Sequence, residues 1–112
     1  MQNEMKISET EDALVVFFYG DLDHETTLRY RDHLVSCIEE SHQPSVIFNF
    51  KHVHFIDSSG IGMVLGRYNQ LVKSQRRLYL SGLHGSVYKL FDLTGLFKII
   101  QCLDEDKEVE AK

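Results

Sequence analysis

A single α/β domain with a sheet of four or five strands is predicted by three features of the chain. The first is a β-rich apolar run, Asp12 to Tyr19, followed after a short turn by a charged segment whose apolar residues recur at helical spacing. The second is the nearly continuous apolar run Ser45 to Phe50, just after Pro44. Strand, helix and strand in this order imply a right-handed crossover between parallel strands. The third is a second helical stripe of Ile61, Val64, Leu65, Tyr68, Leu71 and Val72, the cleanest helical pattern in the chain.

Each element has its own local reason. Met5 to Thr10 alternates weakly, as an edge strand does, and the polar gap before Asp12 suits a hairpin. Gly20-Asp21-Leu22-Asp23 carries turn residues. From Glu25 to Glu40, Leu28, Leu34, Val35 and Ile38 form a helical stripe that His24 or Asp23 is suited to cap, and Pro44 prevents continuation. Ser45 to Phe50 has the composition of a strand covered on both faces. Arg76 to Ser81 supplies a further strand around Leu78 and Leu80. Ser86 to Leu93 forms a short helix with Val87, Leu90 and Phe91 inward and Gly95 as its C-cap. Phe97 to Leu103 is a last short strand, and Asp104 to Lys112, with five carboxylates, a solvated helix or tail.

Bulk properties narrow the partners. The 112 residues suit one domain, and 43% hydrophobic with 26% charged residues suits a globular one. A net charge of -5 argues against nucleic acid or an anionic membrane as the main partner and fits a basic protein face. The longest apolar run, Ala13 to Tyr19, is far short of the roughly 20 residues that span a bilayer. Met1 to Lys6 lacks the pattern of a signal peptide. Cys37 and Cys102 are too few and too distant for a disulfide framework or metal site, and are expected to be reduced, buried thiols of a cytoplasmic protein.

The chemistry concentrates in Asp57-Ser58-Ser59-Gly60-Ile61-Gly62, where a strand gives way to a helix. Asp57, Ser58 and Ser59 are all good N-cap residues, so the plain expectation is that one of them caps the helix. Two hydroxyls cannot serve the same end, which leaves one for a partner, and ligands of α/β sheets gather at the carboxyl ends of strands. Gly60 and Gly62 each lower helix propensity by roughly 1 kcal/mol relative to Ala. Close approach to the sheet or to another molecule would explain that, whereas Gly66 is expected to be a packing glycine. Asp21 and Asp23 suit turn chemistry and helix N-terminal charge, or an acidic contact to a basic partner.

Enzyme alternatives fare poorly. Gly60-x-Gly62-x-x-Leu65 puts Leu where the dinucleotide fingerprint needs a small residue, and no acidic residue follows in Leu78-Tyr79-Leu80-Ser81-Gly82. Neither the phosphate-loop Gly-Lys-Ser/Thr nor the hydrolase Gly-x-Ser-x-Gly occurs. His52 or His54 acting as base toward Ser58 defines a weak serine-hydrolase alternative, and the same pair lacks further ligands at metal-site spacing.

The segment Phe55 to Tyr68, together with Gly20-Asp21-Leu22-Asp23-His24 and Leu90 to Ile100, closely resembles the anti-sigma factor antagonists of the STAS domain family. Leu65-Gly66-Arg67-Tyr68 and Gly95-Leu96-Phe97-Lys98-Ile99-Ile100 look most like the branch that controls a forespore sigma factor in sporulation. The resemblance implies one STAS domain over residues 1–112, with its core at about 4–103. Its sheet would be mixed and four- to five-stranded, with an N-terminal hairpin and helices mainly on one face. It implies a non-enzymatic partner switch. The unphosphorylated protein binds an anti-sigma factor that is also a serine kinase, freeing the sigma factor. Phosphorylation on Ser58 ends binding, and a phosphatase restores it. ATP and magnesium would belong to the kinase, with no cofactor of the chain's own. Ser59 would then be the better cap. Asp21, Asp23, Asp57, Ser58, Ser59, Gly60, Ile61 and Gly62 would meet the partner. The free protein would be a cytoplasmic monomer. An alternative within the family is a nucleotide- or anion-sensing domain that uses the same helix N-terminus.

Overall fold

Strict alternation along the second strand organises the molecule. In the computed structural model, which describes residues 2–103, the strands are β1 (Glu4–Glu9), β2 (Ala13–Leu22), β3 (Ser45–Ile56), β4 (Arg77–Ser81) and β5 (Gln101–Cys102). They lie side by side in chain order. β1 pairs antiparallel with β2 through a tight hairpin in which the Thr10 N–H donates to Ala13 O at 2.9 Å. The β2–β3, β3–β4 and β4–β5 pairs are parallel. The crossovers are α1 (His24–Glu40), α2 (Ser58–Lys73) and α3 (Gly85–Thr94), the last ending at Gly95 with φ 77° and a 3-10 turn, Leu96–Lys98. The segment 104–112 lies outside the described residues.

The helices cover one face. Leu14, Val16, Phe18 and Leu22 of β2 are buried, as are Val46, Phe48 and Phe50 of β3 and Leu78 and Leu80 of β4. Phe18 stacks on Phe50 with centroids 5.4 Å apart and meets Tyr30 of α1, while Phe50 meets Phe91 of α3, so both helices share that face. The opposite face, with Val15, Phe17, Tyr19, Ile47 and Tyr79, is half-buried. β3 is therefore not covered by helices on both faces, although its composition suggested that. Its apolar outward residues pack laterally against their strand neighbours instead.

Several boundaries move. β2 runs through Gly20-Asp21-Leu22, predicted to be a turn, because those residues pair with the far end of β3. β3 likewise runs on to Ile56 through the predicted connector. Two register shifts against β2 put extra residues into β3, so its buried positions pass from a spacing of two to Phe50, Val53 and Ile56. Asn49 Oδ1 accepts from Lys51 N–H at 2.9 Å at the first of these shifts.

The helix faces turn too. α1 buries Thr26, Tyr30, Leu34 and Ile38, one residue every four, and leaves Leu28 57% exposed. α2 buries Gly60, Met63, Val64, Arg67 and Leu71 and exposes Leu65 and Val72. Gly66 is not a packing glycine, since a Cβ there would meet nothing within 4 Å. Neither cysteine is in a disulfide, but Cys37 is only half-buried and Cys102, on the two-residue edge strand β5, is exposed. At the end of the sheet where β3 and β4 begin, Arg76 donates to Ile38 O, Gln43 O and Ser41 Oγ at 2.7, 2.7 and 2.8 Å. It thus fastens the end of α1 to the start of β4.

Candidate functional site

Two helices start at the same place because two adjacent parallel strands end there. Leu22 closes β2 opposite Ile56, which closes β3. Each is followed by an aspartate that caps the next helix. Asp23 accepts from Thr26 N–H at 2.9 Å. Asp57 Oδ1 accepts from Ser59 N–H at 2.9 Å and Gly60 N–H at 3.2 Å. The Asp57 N–H in turn donates to Leu22 O at 3.3 Å, which ties the two starts together. Asp57, not Ser59, is thus the cap of α2, since the carboxylate reaches two backbone donors at once. For α1 the cap is Asp23 and not His24. The bond from the Thr26 N–H holds the Asp23 carboxyl below its ordinary 3.8, with the Thr26 side chain adding to the effect.

Capping by Asp57 releases both hydroxyls. Ser58, the first residue of α2, is exposed, and its Oγ has no hydrogen-bond partner among the described residues. Ser59 is half-buried and turned toward α1, where its Oγ lies 2.9 Å from His24 Nδ1. The two glycines separate in role. A Cβ at Gly60 would overlap the Ile56 side chain and lie 3.0 Å from Leu22 O, whereas one at Gly62 would meet nothing within 4 Å. Gly60 therefore serves the fold and Gly62 leaves open surface. Ile61 is half-buried against the core.

Asp21 is exposed on the last turn of β2. Its N–H donates to Asn3 Oδ1 at 2.8 Å, and Asn3 Nδ2 donates to Thr26 Oγ1 at 2.9 Å. Gly20, with φ 90°, makes room for that strap, since any side chain there would run into Asn3. Asp21, Asp23, Asp57, Ser58, Ser59, Gly60, Ile61 and Gly62 thus do come together around two helix starts. The strap from Asn3 and the role of His24 were not apparent in the sequence. The only trace of the strap is a glycine where a strand residue would ordinarily stand.

Between α1 and α2 runs a groove of about 240 Å³ lined by His24, Thr27, Arg31, Ser59, Met63 and Arg67. Arg67 is 8% exposed, and its Nε has no partner among the described residues. Burial, and then the neighbouring Arg31, lowers its pKa, with Asp32 opposing. Its position on the buried stripe was masked in the sequence by Leu65 and Tyr68, which fit a helical period as well.

His52 stacks on Tyr19 at 4.9 Å and His54 meets His84 at 6.0 Å. The serine–histidine pair that exists joins His24 to Ser59 and not His52 or His54 to Ser58. Among the described residues no group of three side chains is placed to hold a metal ion, and no helix is long and apolar enough to cross a membrane.

Comparison with known proteins agrees with this geometry. Residues 4–110 match the family model of the STAS domain. An anti-sigma F factor antagonist of Paenibacillus polymyxa is 28% identical over 106 residues, covering 95% of this chain and 91% of the relative. An anti-sigma-B factor antagonist of Staphylococcus epidermidis is 33% identical over 91 residues, covering 81% and 82%. Among solved structures, the anti-sigma factor antagonist SpoIIAA in its unphosphorylated form superposes with a TM-score of 0.79 at 28% identity, covering 96% of this chain and 95% of that one.

Proposed function

The chain belongs to the STAS domain family, and on that premise we propose that it is an anti-sigma factor antagonist switched by phosphorylation of Ser58. In its unphosphorylated form it binds an anti-sigma factor that is also a serine kinase, and the sigma factor leaves. The kinase brings the ATP and magnesium. The chain contributes the acceptor and is not itself an enzyme. A phosphatase removes the phosphate and restores binding in the cytoplasm.

The observation that carries this reading is the exposed, unpartnered Ser58 Oγ, next in the chain to the capping Asp57 at the start of α2. Phosphate changes Ser58 from neutral to about -1.5 to -2. It stands beside the Asp57 carboxylate and, in a docked complex, opposite the partner's own nucleotide phosphates. Burying that charge without a cation costs several kcal/mol, and about 4 kcal/mol is a thousandfold in affinity. Relatives named as antagonists of anti-sigma F and anti-sigma-B factors support the same role. The anion-sensing alternative has less support, because the Asp57 carboxylate already takes the backbone donors an anion would need.

Incubation with the anti-sigma kinase of the same organism and ATP should add one phosphate, located on Ser58 by mass spectrometry. Ser58→Ala should bind the kinase and accept none. Phosphorylation of Ser58→Ala at the wild-type rate would remove the assignment.

A further inference from the structure

The geometry points to His24 as the residue that makes Ser58 the sole acceptor, by holding the neighbouring hydroxyl of Ser59 out of reach. This rests on the kinase-substrate reading above. The two serines are adjacent, and both follow the cap of α2 in its first turn. By residue type either is an acceptor. They differ in what surrounds them. Ser58 is exposed with an unpartnered Oγ, while Ser59 lines the α1–α2 groove with its Oγ 2.9 Å from His24 Nδ1.

The backbone of His24 is fixed, and its exposed imidazole reaches across to Ser59. It is the first residue of α1, its carbonyl accepts from Thr27 Oγ1 at 3.0 Å, and the Asp23 cap before it is anchored on Thr26. A kinase needs the acceptor oxygen in line with the γ-phosphorus of ATP, so Ser59 would have to break its bond to the imidazole and turn outward. One such bond is worth about a factor of ten in the population of the outward hydroxyl. The Ser59 oxygen would displace ADP from the γ-phosphorus and lose its proton in the same way as Ser58, so only position separates them. His24 acts through Ser59 and is a positioning residue.

The test compares wild type, Ser58→Ala, His24→Ala and the double variant with the anti-sigma kinase of the same organism and ATP, with sites located by mass spectrometry. Ser58→Ala should accept no phosphate. The double variant should gain phosphate on Ser59, at a rate up to about tenfold above the limit below which Ser58→Ala shows none. A double variant as inert as Ser58→Ala overturns the proposal, and so does Ser58→Ala accepting on Ser59 at the wild-type rate. A kinase-independent arm follows the His24 ring nitrogens by NMR. Ser59→Ala should shift Nδ1 and Ser58→Ala should leave it, and no shift with Ser59→Ala overturns the proposal by itself. Wild type that takes no phosphate while the Nδ1 shift is present would instead sink the kinase-substrate reading and leave the His24–Ser59 link standing.

Discussion

Asp57 carries two burdens, as the cap of α2 and as the negative neighbour of the proposed acceptor, Ser58. Its carboxylate meets two backbone N–H groups, so Asp57→Ala should cost about 1 kcal/mol. In a domain of this size that lowers the thermal midpoint by about 4 °C, readable by circular dichroism. Asp57→Asn keeps a capping oxygen and should lose much less. Asp23 allows a test by pH. Its folded carboxyl titrates below 3.8, so its contribution is complete above the unfolded value and fades as pH falls through the folded one. Asp23→Asn retains the cap without the charge. Its urea midpoint should therefore fall less steeply than that of wild type as the solution is acidified below about pH 4. Parallel acid profiles for the two proteins would contradict this. Ser59, which the family resemblance made the expected cap, is instead part of a contact between helices. Residue types at 57–59 allowed all three caps, and only the directions in which the side chains point distinguish them.

At the scale of elements, α2 explains its own glycines. Gly60→Ala forces a Cβ into Ile56 and the backbone of Leu22, and should cost about 1–3 kcal/mol and misplace the acceptor turn. Gly62→Ala meets nothing and relieves a helix-interior glycine, so it should stabilise by up to about 1 kcal/mol. Its effect on kinase affinity then reports the clearance a docked partner uses, since the fold is not perturbed. Chemical denaturation with a binding titration checks both variants. A Gly62→Ala protein that is less stable than wild type would refute the open-surface assignment. The strand β3 shows the opposite limit. Lys51 to Ile56 mixes Lys51, His52 and His54 with Val53, Phe55 and Ile56 at no strand period, and it became a strand because β2 offers it a partner as far as Leu22. Its two register shifts re-aim Val53 and Ile56 into the core, a pattern with no single period for sequence reasoning to find.

For the whole molecule, the switch should be local. The aromatic centre of Phe18, Phe48 and Phe50 packs against Tyr30 of α1 and Phe91 of α3, and the proposed acceptor sits outside it on the first turn of α2. Phosphorylation of Ser58 should move backbone amide resonances near Asp23 and in the first turn of α2 and leave those of β1, β4 and α3 in place. Shifts spread through the sheet would contradict a purely contact-level switch. The sequence by itself determined the α/β class, the order of elements and the capping residue types at each helix start, because hydrophobic periodicity and capping chemistry are local. Tertiary structure alone decided that Ser59 turns to His24, that Gly60 packs while Gly62 stays open, and that β2 and β3 extend to deliver both helix starts to one edge. Those outcomes depend on contacts between residues about 20 to 35 positions apart, whose relative placement is set by strand pairing and not by the residues themselves.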